Sequence, residues 1–181
     1  EELVKAFAEV ARKEYRAVGL SLALHPVADL ATEPRWPRNS STFGEDAEIA
    51  SNLIQAYVAG FQGEEITETS VACMTKHFPG GGPQHKGLDP HFPFHEGQRY
   101  PGENFDYHLK PFKAAFASKT AAVMPYYGVP QGYKFDEVGF AYNKEIITEL
   151  LQNQLGFTGV ICSDWGLVTD MPMIKDIVWP A

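Results

Sequence analysis

The strongest constraint on the fold is an alternation of short apolar runs with stretches of helical periodicity. Four runs punctuate the chain: 19–28 (GLSLALHPVA), 71–78 (VACMTKHF), 121–127 (AAVMPYY) and 157–165 (FTGVICSDW). Between them apolar residues recur at helical spacing: Leu3, Phe7, Val10, Ala11 and Tyr15 in 1–17, then Ile49, Leu53, Ile54, Tyr57 and Val58 in 46–61. Two further helices are predicted over 104–118, where Pro111 should kink or shorten the helix, and over 143–155, which Asn143 can cap. The strand cores start near 21, 71, 121 and 158, separated by 37 to 50 residues. Units of that length imply crossover connections and therefore parallel strands. The runs are continuous apolar stretches more than alternating ones, as expected of strands covered on both faces. The class is α/β. Four such strands make about half of a TIM-type (β/α)8 barrel, and half a barrel leaves sheet edges unpaired. Residues 1–181 are therefore expected to be a fragment of a larger barrel domain that does not fold alone, the remainder of the same polypeptide supplying the other strands and any second domain.

Composition removes several function classes. Apolar residues at 44% and charged residues at 21% are ordinary for a globular domain and argue against disorder. A net charge of −8 without any Lys/Arg run argues against nucleic-acid binding, which rests on clustered positive charge. No apolar stretch approaches the roughly 18 residues of a membrane span. Cys73 and Cys162 sit inside apolar runs and read as free thiols rather than a disulfide. No secretory signal is visible, residues 1–17 reading as mid-domain helix, and the compartment stays open.

Each apolar run ends abruptly in polar side chains. His25 and Asp29, with Arg35 and Arg38, follow the first; Lys76–His77 closes the second, Tyr126–Tyr127 the third and Ser163–Asp164–Trp165 the fourth. In a parallel barrel all strand C-termini share one face, where active sites are built. Asp164 emerges from a buried strand, which would hold its carboxylate in a fixed position. Trp165 beside it offers a flat apolar face for sugar C–H groups, and cations such as Lys76 and Arg38 would favour the ionised carboxylate.

The segments PRWPRNSSTFGED (34–46), KHFPGGG (76–82), VMPYYG (123–128) and GVICSDWG (159–166), in this order and spacing, resemble the family 3 glycoside hydrolases. The resemblance implies a retaining, exo-acting β-glycosidase, with β-glucosidase the nearest activity, a carbohydrate substrate, and no cofactor or metal. It matches Asp164 to the family's nucleophile and Arg38, Lys76 and His77 to groups that bind sugar hydroxyls. Tyr127 matches a tyrosine near the nucleophile, and Trp165 an aromatic wall of the cleft. Pro37 stands where many members carry glycine. For the acid/base, the resemblance favours a glutamate from a second domain, outside this chain. The alternative is Asp89 with His91, in the manner of the N-acetylglucosaminidase branch.

Other readings compete. One is a β-N-acetylglucosaminidase using Asp89 and His91; another is a non-catalytic sugar-binding remnant. A third is a metal-dependent hydrolase around His77, His85, His91 and His95, although their spacing matches no compact metal pattern. Gly80–Gly82 read as a sharp turn rather than a phosphate cradle. Asp29 either reaches the sugar or forms a salt bridge that orients Arg35 or Arg38.

Overall fold

The computed structural model describes residues 1–168, which include every candidate site residue named from the sequence. The principal elements are α1 (Glu2–Ala17), β1 (Leu22–Ala23), α2 (Ala47–Gln62), β2 (Ala72–Phe78), α3 (Phe105–Ala117), β3 (Ala122–Pro125), α4 (Glu145–Gln154) and β4 (Val160–Ile161). The strands form one sheet in sequence order, β1-β2-β3-β4, and each neighbouring pair is parallel. This is the α/β half-barrel predicted from the spacing of the apolar runs.

The first strand is shorter than its run because Pro26 has no N–H to offer the ladder. Pairing continues nonetheless: the Met74 and Lys76 amides donate to the carbonyls of His25 (3.1 Å) and Pro26 (2.9 Å), and the Ala28 amide to Lys76 O (2.6 Å). That extension carries Asp29 to the tip of β2. Pro111 does not break α3; the helix runs through it, with Leu109, Phe112 and Ala115 buried on either side of the proline. The last helix is wound as a π-helix, and Asn143 helps to start it by accepting from the Ile146 amide at 3.2 Å.

The buried faces of α1 and α2 differ from those that the large apolar residues suggest. In α2 the buried positions are Ala47, Ala50, Ile54, Val58 and Phe61, while Ile49 is exposed. In α1 only Ala8 is fully buried, with Ala11 and Tyr15 packed beside the core, and Leu3, Phe7 and Val10 form an exposed stripe. Small residues win at the contact because they let the two helix backbones approach. A Cβ on Gly60 would lie 2.4 Å from Ala8 Cβ and 2.7 Å from Lys5 O. At the end of α2, buried Gln62 staples two strand starts: its Oε1 accepts from the amides of Cys73 (2.8 Å) and Ala121 (2.9 Å). Among the described residues no helix is long and apolar enough to cross a membrane.

Gly60→Ala tests this packing. Alanine favours a helix by up to about 1 kcal/mol, but the new methyl meets backbone, which cannot swing aside. Overpacking of that kind costs about 1–3 kcal/mol. The expected outcome is a Tm several degrees lower for the full-length protein in thermal melts, with α2→α1 contact loosened; an unchanged or raised Tm would show that the helices separate freely.

Candidate active site

Asp164 follows β4 and is 7% exposed. Its Oδ1 accepts from the Trp165 amide at 2.7 Å, so the backbone itself fixes the carboxylate. Tyr127, at the end of the neighbouring strand, donates its hydroxyl to the Trp165 carbonyl at 2.7 Å. Burial, and then the Asp164 carboxylate beside it, raise the Tyr127 phenol well above its ordinary value. A hollow of about 320 Å³ opens at Asp164, walled by Leu24, Met124, Cys162 and Trp165. That volume lies at the lower end of small-ligand sites, which begin near about 300 Å³. The Trp165 residue is 80% exposed at its rim, free to meet a ligand. A larger hollow of about 590 Å³, lined by Lys113, Thr120 and Gly159 among others, lies toward the strand N-termini, away from these groups.

Beside the hollow runs a chain of buried polar groups. Asp29 accepts from the His77 ring Nδ1 at 2.8 Å, from the His77 amide at 3.2 Å and from the Gly81 amide. Burial first of all lowers the His77 pKa, with the charges of Arg38 and Lys76 adding to it against the pull of Asp29. The imidazole is therefore neutral, with its proton on Nδ1 toward Asp29. Its Nε2 is the acceptor and takes a hydrogen bond from Arg38 NH2 at 3.2 Å. The other terminal nitrogen of Arg38 donates to the Tyr126 hydroxyl at 3.4 Å. That hydroxyl in turn donates to Asp89 Oδ2 at 3.2 Å. Burial opposes the Arg38 charge, but Tyr126, Asp29 and Asp89 outweigh it and raise its pKa. Lys76 is half-buried: burial, then Arg38, pull its pKa down, while Asp164 and Asp29 act in the other direction.

The Gly-rich turn makes this convergence possible. Gly80 adopts φ 124°, open to glycine, and a Cβ on Gly82 would fall 1.7 Å from Leu30 O. The sequence suggests a sharp turn, and the structure adds that its backbone runs close against that of Leu30.

The structure brings together Arg38 with His77, Lys76 with Asp164 through their charges, and Tyr127 with Asp164 and Trp165. Other residues singled out from the sequence lie elsewhere. Asp29 holds His77, not an arginine, and Arg35 pairs with Glu33 instead (2.7 Å). His25 is held between the helices by the hydroxyls of Tyr15 (3.0 Å) and Tyr57 (2.9 Å). The loop histidines each have a separate partner: His85 with Glu96 (3.4 Å), His91 with Asp89 (2.5 Å) and His95 with Leu88 O (2.9 Å). Among the described residues no three His, Cys, Asp or Glu side chains gather to hold a metal. Cys73 is a buried free thiol, and Cys162 is free but only half-buried. Two links among these polar groups are not visible in the sequence. Trp36 donates its indole N–H to Asp89 Oδ2 at 2.8 Å, and Tyr126 links Arg38 to the same oxygen.

Parallel βα units that gather a carboxylate, cations and tyrosines at one set of strand tips define a (β/α)-barrel segment with a polar ligand site. The chain belongs to the glycosyl hydrolase family 3 N terminal domain family, which matches residues 1–178. Beta-glucosidase C of Emericella nidulans is 55% identical over 170 residues, covering 93% of this chain and 28% of that protein. The periplasmic beta-glucosidase/beta-xylosidase of Dickeya chrysanthemi is 41% identical over 177 residues, covering 94% of this chain and 27% of that protein. The crystal structure of beta-glucosidase from Listeria innocua in complex with glucose superposes with a TM-score of 0.81 at 29% identity, over 93% of this chain and 23% of that one. The chain spans about a quarter of the length of the curated relatives it matches.

Buried histidines set an acid limit on this architecture. Burial holds His77 low; burial, then the Lys76 charge, push His25 down to about 4; and burial pushes His108 down to about 4. Below about pH 6.5 the unfolded chain binds protons at these sites that the folded chain does not, so stability falls as pH falls. The contribution is complete above about pH 6.5 and is lost toward the folded values near about 4. Thermal melts from about pH 7.5 to about pH 4.5 should show a steadily falling Tm. His108→Phe, at a site where Nδ1 is buried without a partner, should flatten that slope; a slope unchanged in the variant would count against the assignment.

Proposed function

We propose that this chain carries the nucleophile-bearing part of a retaining, exo-acting β-glycosidase that removes terminal β-linked sugars, β-glucosides foremost. The observation that carries the reading is Asp164: a nearly buried carboxylate fixed by the Trp165 amide, opening on a small hollow and facing the charge of Lys76. Family membership and the beta-glucosidase relatives support the same substrate class.

In this reading an Asp164 oxygen attacks the anomeric carbon as the bond from that carbon to the glycosidic oxygen breaks. A carboxylic acid protonates the departing oxygen, and the sugar is left as an ester on Asp164. The same group, now a carboxylate, takes a proton from water as it attacks the anomeric carbon and releases Asp164. The acid/base is assigned to a glutamate elsewhere in the polypeptide, whose remaining parts complete the barrel and cover the exposed stripe Leu3, Phe7 and Val10 of α1. Arg38 and Lys76 donate to sugar hydroxyls; His77 positions Arg38 and lines the same edge. Tyr127 holds the backbone beside the nucleophile by donating to the Trp165 carbonyl, and the Trp165 indole stacks on the sugar or its aglycone. Contacts that tighten as the ring flattens toward an oxocarbenium ion lower the barrier, whereas uniform binding would not.

The test is covalent trapping on the full-length protein. A 2-deoxy-2-fluoro-β-glucosyl fluoride should inactivate it, and peptide mapping should find the added sugar on Asp164. Asp164→Ala should lower kcat/KM by about 10⁴-fold or more. A 4-nitrophenyl β-glucoside should be turned over in preference to the corresponding N-acetylglucosaminide. A label on any other peptide, or none, would remove Asp164 from the mechanism.

A further inference from the structure

We propose that Asp89 is a positioning residue, a buried clamp that sets the pose of Arg38 through Trp36 and Tyr126, and is not the proton donor of the reaction. The inference deepens the reading above, since it takes Arg38 as a sugar ligand.

A carboxylate offers about four acceptor positions. In Asp89 four donors occupy them. Oδ1 accepts from the His91 amide at 2.9 Å and the His91 ring at 2.5 Å. Oδ2 accepts from the Trp36 indole at 2.8 Å and the Tyr126 hydroxyl at 3.2 Å. The residue is 3% exposed. A general acid must present an oxygen to the departing group within hydrogen-bond reach; both of these oxygens face inward and are committed.

The donors come from three different strand tips. Trp36 lies two residues before Arg38 on the connection from β1 to α2, His91 on the loop after β2, and Tyr126 directly after β3. Asp89 thus reaches Arg38 twice. Trp36, 1% exposed, anchors the backbone that carries the arginine. Tyr126 has turned its proton to Asp89, so its oxygen is left to accept from Arg38 at 3.4 Å, and its ring lies 5.9 Å under the guanidinium. Without the carboxylate, the Tyr126 proton has no fixed direction and the Trp36 N–H is buried without an acceptor. The clamp also extends toward the nucleophile: the His91 ring packs edge-on against Tyr127 at 4.8 Å. Although burial opposes its charge, the bonds from His91 and Trp36 hold the Asp89 carboxyl well below the usual carboxylate range. It stays an acceptor across the pH range in which a glycosidase operates.

The experiment uses the full-length enzyme with Asp89→Asn. Turnover is measured on 4-nitrophenyl and 2,4-dinitrophenyl β-glucosides, with and without azide, alongside glucose affinity by calorimetry. Expected is a fall in kcat/KM of about 10- to 100-fold, carried mainly by KM and equal for the two leaving groups. Glucose should bind correspondingly more weakly, and azide should restore nothing. In an Arg38→Lys background the same substitution should cost no more than about 2- to 3-fold, because the pose it protects is already lost. A penalty that vanishes with the better leaving group, with azide rescue and a glycosyl azide product, would make Asp89 the acid/base and overturn the proposal. So would a lower Tm with unchanged kcat/KM, or an equal loss in both backgrounds.

If Asp89→Asn does not fold, Tyr126→Phe severs the same link while keeping the ring. It should raise KM by about 5- to 20-fold, again not additively with Arg38→Lys, and unchanged kinetics would overturn the clamp. A wild-type protein that binds glucose without cleaving glucosides would overturn the reading of function alone, leaving glucose affinity to decide the role of Asp89. A wild type that binds no sugar would overturn both.

Discussion

Asp29 lies out of reach of water, with three N–H groups converging on it from His77 and Gly81, and the order of the whole strand-tip cluster follows from that convergence. A buried anion is costly unless hydrogen bonds replace its hydration. Here two backbone amides and one imidazole do so. Because the ring spends its proton on Asp29, its far nitrogen can only accept, and only a donor such as the Arg38 guanidinium can face it. The tautomer of one histidine therefore decides which side of an arginine is held and which way it points. Gly81 sits against both Asp29 and the Tyr126 ring, where even a methyl group would meet Tyr126 Cε1 at 2.8 Å.

Two anions thus bracket one cation from different sides. Asp29 acts on Arg38 through a neutral imidazole, and Asp89 through a phenol. The guanidinium donates to His77 and Tyr126 and not to either carboxylate, so neither uses up its donors in a direct ion pair. Arginine kept charged but not neutralised at close range is well suited to bind hydroxyls of an uncharged ligand. Asp164 is held differently, by the amide of Trp165, whose own carbonyl Tyr127 holds, and it lines the hollow directly.

The sheet was legible because its signal is local: apolar runs, crossover lengths and polar strand ends all lie within short windows. The strand-tip residues Lys76, His77, Tyr127 and Asp164 could be named for the same reason. What escaped was whatever depends on distant pairing. Trp36, Asp89 and Tyr126 meet across three loops, and nothing near any of them in the chain announces the others. For Asp29 the sequence leaves two partners open, a ligand or an arginine, whereas its partners are His77 and Gly81, which only the folded geometry brings to it. The helix faces misled in another way. Leu3, Phe7 and Ile49 dominate the apolar pattern, yet the contact between α1 and α2 is made by Ala8 and Gly60, whose value is the room they leave. Size, not hydrophobicity, chose that face.

Among the described residues β1 and β4 are the outer strands of the sheet, with Leu22 and Val160 exposed on them and Leu24 exposed just past β1. Each border presents unpaired ladder groups beside exposed apolar side chains, the features by which a sheet edge accepts another strand. That makes the two borders natural places to divide a longer polypeptide into separately produced pieces. Reassembly would then regenerate the ligand cleft only when both pieces are brought side by side, the arrangement that a protein-fragment complementation reporter requires.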